Sequence, residues 1–195
     1  MCSSDLYETT YFDTPNYEMY TCHHDGKLNR YKVRIRSYID SDLNFFEIKF
    51  KTNTGRTKKS RIQLPSKDYS LNGEVAAMLE KKTAYKASSL IAAIKVKYNR
   101  ITLISKDLTE RITIDTCLSY EHQGEHFSLP ELVIAEVKQD KSDNSPFIDI
   151  MKAKRIKDES MSKYCLGIVS LIHNVKINNF KPKIRYVNHL LSKTA

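Results

Sequence analysis

Arg30-Tyr31-Lys32-Val33-Arg34-Ile35-Arg36-Ser37-Tyr38 is the stretch from which the fold is read. In a strand, successive side chains point to opposite faces. Arg30, Lys32, Arg34 and Arg36 therefore share one face, and Tyr31, Val33 and Ile35 share the other. Residues 45–51 repeat the pattern, with Glu47, Lys49 and Lys51 opposite Phe46, Ile48 and Phe50. Later in the chain Arg111, Thr113 and Asp115 alternate with Ile112 and Ile114, and Glu136 and Lys138 alternate with Val133, Ala135 and Val137. Several strands thus carry one apolar face and one face of fixed charge. Like charges opposed across paired strands repel. A row of them is best tolerated where a polyanion or a metal fills the space between. The plainer reading, a solvated sheet face, would show mixed Ser, Thr, Gln and Lys rather than mostly Arg and Lys.

Working outward, Tyr7–Asp13 reads as a strand ended by the turn Asp13-Thr14-Pro15-Asn16. His24-Asp25-Gly26, Asp40-Ser41-Asp42 and Asn53-Thr54-Gly55 are turns between strands at Arg30–Tyr38, Phe45–Thr52 and Arg56–Ile62, an antiparallel meander. Helices follow at Glu74–Lys82 and Ser88–Ile94. Strands return at Lys95–Ile104, Arg111–Tyr120 and Leu132–Lys138. Ser145-Pro146 opens a helix in the order cap then proline, and Ser162 caps a last one. The tail from Lys176 is basic, with an apolar stretch at Val187–Leu191. This order predicts an α+β fold with an antiparallel sheet closed into a β-barrel, because an open sheet leaves edges that need protection. No linker or repeat interrupts the chain, so residues 1–195 are expected to form a single domain.

Length and composition agree. The 195 residues, 41% hydrophobic and 28% charged, suit a globular protein. The net charge of +9 is unevenly placed. Residues 1–26 hold five acids and no Lys or Arg, whereas residues 27–61 hold eleven bases against three acids. Such a block suits a polyanionic partner. With five glycines and neither GxxxxGK[ST] nor GxGxxG, a P-loop or Rossmann site is excluded. No apolar run approaches the ~20 residues of a membrane helix and no signal segment opens the chain, so a cytoplasmic location is expected. Cys2, Cys22, Cys117 and Cys165 are scattered and read as reduced thiols.

Three further candidates stand out. His23-His24 could be a metal pair, but neighbours in an extended segment point apart, and two turn residues is the better reading. Ser162-Lys163 at a helix start could bind an anion through free N–H groups, against simple capping. Glu136 and Lys138 could be a structural ion pair. In a basic cavity, however, a lone carboxylate is also where Mg²⁺ or Mn²⁺ is held, with phosphate oxygens completing the shell.

Taken together, Tyr11-Phe12-Asp13-Thr14-Pro15, the run Gly26–Arg36, Glu47-Ile48-Lys49-Phe50-Lys51 and the run Gly55–Arg61 resemble the polyphosphate polymerase domain of the vacuolar transporter chaperone (VTC) family. So do Tyr98-Asn99-Arg100, the run Arg111–Thr116, Glu136-Val137-Lys138, Ser162-Lys163-Tyr164 and the run Phe180–Tyr186. The resemblance runs in order from Tyr11 to Tyr186 and is specific as a set.

It implies a triphosphate tunnel metalloenzyme of CYTH-like type, a barrel whose lumen takes a triphosphate and Mn²⁺ or Mg²⁺. It also implies transfer of the γ-phosphate of ATP to a polyphosphate chain. By resemblance Arg34, Arg36, Lys49, Lys59 and Arg100 act on the phosphates with Lys163, and Ser162 sits beside it. Lys51, Arg61, Arg111 and Lys138 are further phosphate contacts, and Glu136 holds the metal with Glu47 as rival. The family places one more strand and a helix before the Tyr-Phe-Asp-Thr strand, and these are expected to be missing here. A triphosphatase on the same tunnel and a non-catalytic polyanion binder are the competing readings. Sequence-specific nucleic-acid binding is not expected, since Tyr31, Phe46 and Phe50 lie opposite the Arg/Lys face and RNA-binding sheets stack bases on aromatics.

Overall fold

The computed structural model describes residues 2–106, 108–139 and 145–192. Its centre is one antiparallel sheet of eight strands: β1 (Cys2–Asp13), β2 (Arg30–Tyr38), β3 (Leu43–Lys51), β4 (Thr57–Leu64), β5 (Ile91–Ile104), β6 (Glu110–His122), β7 (Glu125–Leu129) and β8 (Ile134–Gln139). The spatial order is β4-β3-β2-β1-β5-β6, with β7 and β8 pairing successive parts of β6. Among the described residues five helices flank it: α1 (Glu18–His24), α2 (Gly73–Lys82), α3 (Pro146–Ala153), α4 (Lys163–Leu171) and α5 (Lys181–Leu191).

The meander and the α+β class are as the alternation required. Closure is not: among the described residues no ladder joins β4 to β8, so the sheet is open. Both edges carry the charges that discourage further pairing, Lys58, Lys59 and Arg61 on β4 and Glu136 and Lys138 on β8. Two other local expectations also change. The helix expected over Ser88–Ile94 is a single 3-10 turn at Ala87–Ser89, because Ile91 and Ala92 are drawn into the ladder with Asp13 and Phe12. The expected turn at His24 is instead the end of α1.

Each sheet face has its own core. On one, Val33, Ile35, Phe46 and Ile48 pack with Val75 and Leu79 of α2. On the other, Tyr7, Tyr11, Tyr98, Leu118 and Tyr120 pack with Tyr20 of α1 and with Tyr164, Leu166 and Ile168 of α4. This second face also carries the charged rows. A bulge makes that possible. The β5–β6 register slips between Lys97 and Asn99, and Cys117 adopts a φ of 54°. The slip switches parity, so Asp115 before it and Leu118 and Tyr120 after it all face the same way. Cys22, Cys117 and Cys165 are free thiols, as expected; the side chain of Cys2 lies outside the described residues.

α4 approaches the sheet closely at Gly167. A Cβ built there would stand 2.5 Å from Cδ1 of Tyr120. Alanine would gain about 1 kcal/mol of helix propensity, but overpacking against a fully buried ring costs about 1–3 kcal/mol. Gly167→Ala is therefore expected to lower the melting temperature by a few degrees. An unchanged or higher value would mean that the Tyr120 ring can turn aside.

Candidate functional site

The charged face is organised around two carboxylates. On β2 and β3, Arg34 and Glu47 are paired in register and buried. Arg34 donates from Nε (2.8 Å) and Nη2 (2.5 Å) to Glu47 Oε2, and Lys59 of β4 takes Oε1. Burial alone would raise the Glu47 pKa, but Arg34, Arg36 and Lys59 outweigh it and hold the carboxyl at about 2. Arg34 also donates from Nη1 to the Tyr11 hydroxyl of β1 (3.2 Å).

On β5 and β6 the arrangement recurs. Arg100 grips Asp115 with two bonds, 2.5 and 2.7 Å, and Lys163 from the first turn of α4 adds a third at 2.5 Å. These cations hold the Asp115 carboxyl low against the burial that would raise it. The two halves meet over Tyr7, whose ring centre lies 5.5 Å from the Arg36 guanidinium carbon and 5.1 Å from that of Arg100.

Lys163 is delivered by a local device. Ser162 caps α4, accepting from Cys165 N (3.3 Å) and from Lys32 Nζ (3.0 Å). Asp13 fastens the helix from below. It accepts from the backbone N–H of Thr14, Met19 and Tyr20, and from the Tyr164 hydroxyl. One carboxylate thus starts α1 and anchors α4.

Two cations on this face are left over. Arg36 has only a long contact to Thr9 (3.4 Å) and the Tyr7 ring, and Lys49 has no ion-pair partner among the described residues. Arg34 beside Lys49, with burial, pulls its ammonium down to about 8. Tyr11 is affected by the same cations. Burial pushes its phenol up, but Arg34, Arg36 and Lys32 overcome that and bring it to about 8. Uncompensated positive charge is what an anion-binding face needs.

Arg34, Arg36, Lys49, Lys59, Arg100 and Lys163 are thus brought together, with Ser162 at their border. The other residues singled out by sequence are more peripheral. Arg61 lies exposed over the Phe45 ring, 4.8 Å from its centre, and Lys51 sits at the end of β3. Arg111 and Lys138 are exposed partners across the β6–β8 ladder. Glu136 is on the same face but on the edge strand, its side chain 54% exposed and 3.6 Å from Lys138. Two residues of the cluster carried no sequence assignment: Asp115, read only as part of a charged row, and Tyr11.

Tyr31, Phe46 and Phe50 do lie on the other face. The charged face has aromatics of its own, but Tyr7, Tyr11 and Tyr98 are buried beneath the cations and offer no open ring for a base.

Among the described residues no three His, Cys, Asp or Glu side chains converge as a protein-only metal cage would require. Glu47 is occupied by Arg34 and Lys59, and Asp115 by Arg100 and Lys163. Glu136 has one loose partner, and its register neighbour Thr113 has a buried Oγ1 without a hydrogen bond. This donor set fits a cation held mainly by a ligand's own oxygens.

The profile of the VTC domain family matches residues 3–172. No curated protein matches the sequence. Among solved structures, a candidate adenylate cyclase from Bacillus halodurans superposes with a TM-score of 0.58 at 15% identity, covering 87% of this chain and 83% of that one. A candidate adenylyl cyclase from Hippeastrum, described as having a dominant triphosphatase activity, superposes at 0.51 with 14% identity, covering 88% and 85%. These likenesses show the fold alone, an antiparallel sheet with flanking helices shared with both proteins. No helix among the described residues is long and apolar enough to cross a membrane.

Proposed function

The chain belongs to the VTC domain family, and on that footing we propose that its cationic face binds the phosphates of ATP and polyphosphate and transfers the γ-phosphoryl group to a polyphosphate chain. The observation that carries this reading is the pair Arg36 and Lys49, cations without carboxylates set beside a locked Arg34 and Arg100. Phosphoryl transfer demands positioning and charge neutralisation more than covalent catalysis. The locked arginines supply fixed donors, and the free pair supplies charge that only a ligand satisfies. Lys163 closes the array from α4.

The family resemblance implies Mn²⁺ or Mg²⁺, and Glu136 is the carboxylate free to hold it, Glu47 being fully engaged. Bound there with phosphate oxygens, the ion would neutralise further phosphate charge. Accordingly Glu136→Gln is expected to lower metal-dependent ATP turnover by about 100-fold or more, the scale of one lost transition-state contact, while tripolyphosphate binding barely changes. Undiminished turnover would remove Glu136 from the reaction.

The proposal itself is tested by incubating the protein with ATP and Mn²⁺. Long-chain polyphosphate is the expected product. Free phosphate alone would make the protein a triphosphatase. With neither product, displacement of bound tripolyphosphate by an equal charge of single-stranded RNA at fixed salt would reduce the site to a general polyanion surface.

A further inference from the structure

We infer a second anion site, sized for one phosphate group, behind the first turn of α4, where Lys32, Lys183 and His23 converge on a cavity of about 100 Å³. The cavity lies between α1, α4 and α5, and Ser160, Ser162 and Cys165 complete its polar lining. The rest of its wall is apolar, so charges within it are weakly screened.

Among the described residues none that lines the cavity is acidic. Lys32 is half-buried, with the Ser162 hydroxyl as its hydrogen-bond partner at 3.0 Å and no ion-pair partner among the described residues. Burial disfavours its charge, which an entering anion would restore. Lys183 reaches in from α5, held at the rim by Ser160 and by Glu159 at 3.1 Å. His23 is kept neutral, pulled down to about 3 by burial and by Lys32, Arg30 and Lys183 around it. Its Nδ1 is buried without a partner. A neutral imidazole can still offer one N–H. The Lys32 ammonium and the Ser162 hydroxyl, with Lys183 and Ser160 at the rim and the neutral His23 ring as a wall, surround a small space that suits a tetrahedral oxyanion.

Lys32 stands on the same strand face as Arg34 and Arg36, so the cavity adjoins the central cluster without sharing its carboxylates. The occupant is a phosphate group, either free orthophosphate or the terminal phosphate of a chain that also lies on the central cluster. This inference concerns a different position from the proposed reaction site and fails separately from it.

The test follows the His23 ring signals by NMR while the full chain is titrated with orthophosphate or tripolyphosphate. Orthophosphate is expected to shift them saturably. Lys183→Met, a change outside the central cluster, is expected to weaken that response about tenfold or more, the scale of one lost charge-assisted bond. Lys32→Met should do the same. Arg36→Met should leave the orthophosphate response intact while weakening tripolyphosphate binding elsewhere. If tripolyphosphate displaces orthophosphate from His23, the site takes a chain end; if both bind together, it takes the free ion. Unmoved His23 signals at concentrations that saturate the central cluster would overturn the site. So would an unchanged response in a folded Lys183→Met, with thermal melting as the fold control. Absence of tripolyphosphate binding at the central cluster would instead sink the proposed function alone.

Discussion

Glu47→Gln should lower the stability of this protein by about 3 kcal/mol, a fall of roughly 6–12 °C in melting temperature for a chain of this length. The reason is the asymmetry of buried ion pairs. Forming one gains little, but removing a partner leaves the other charge stranded. Glu47 is fully buried, and Arg34, itself buried, would keep its charge with only neutral acceptors, the Tyr11 hydroxyl and the new amide oxygen, around it. The figure is at the low end of the usual range because Lys59, the second partner, is 39% exposed and can turn to water. The pH dependence has a definite sign. The folded-state pKa of Glu47 lies at about 2 against an ordinary value of 4.5. Its contribution is therefore complete above about 4.5 and lost as the pH falls through about 2. Combining Glu47→Gln with Arg34→Met should cost less than the two changes summed, since the stranded charge is then gone. A singly substituted protein that melts like the wild type would show that Glu47 is not the counter-ion of this face.

That counter-ion role bears on what could be read from the sequence. Alternation in β2 and β3 placed Arg34, Arg36, Glu47 and Lys49 on one face because strand parity is a local property. It could not say that Glu47 would be consumed by Arg34 and Lys59, which depends on which strands neighbour each other. Asp115 and Tyr11 escaped for related reasons. Parity counted from Arg111 and Thr113 puts Asp115 on the charged face, but it cannot say that Arg100 and Lys163 converge on that carboxylate, which depends on β5 and α4 lying beside β6. Tyr11, an ambivalent side chain, declares itself polar only when Arg34 reaches its hydroxyl. α1 has no local start signal, because its N-terminus is capped by Asp13, five residues upstream of Glu18 and across a proline, where no local rule looks for a cap. Closure of the sheet is the expectation furthest from any local signal, and the structure does not meet it.

The affinity of this face for tripolyphosphate should fall steeply between pH 8 and 10, while the stability of the empty protein rises over the same interval. Lys49 and Tyr11 both titrate at about 8 in the folded chain, against ordinary values of 10.5 and 10.0. The unfolded chain therefore binds more protons in that window, and unfolding becomes harder as the pH rises. A bound polyanion reverses the local balance. Its charge compensates Arg34 and Arg36, so Lys49 holds its proton again and Tyr11 regains its neutral form. Binding thus takes up as many as two protons above pH 8, and each proton taken up costs about a factor of ten in affinity per pH unit. A one-unit rise from 8 to 9 should weaken binding by about ten-fold or more, where ordinary lysines and tyrosines would give little change. Lys49→Met should remove one proton from this slope and Tyr11→Phe the other, and neither should disturb the Glu47 ion pair at the same pH. Calorimetric titration in two buffers of different ionisation enthalpy reads the proton count directly. A count of zero at pH 8.5 in the unsubstituted protein would mean that the ligand does not lie against Lys49 and Arg34, and would move the phosphates toward Arg100 and Lys163.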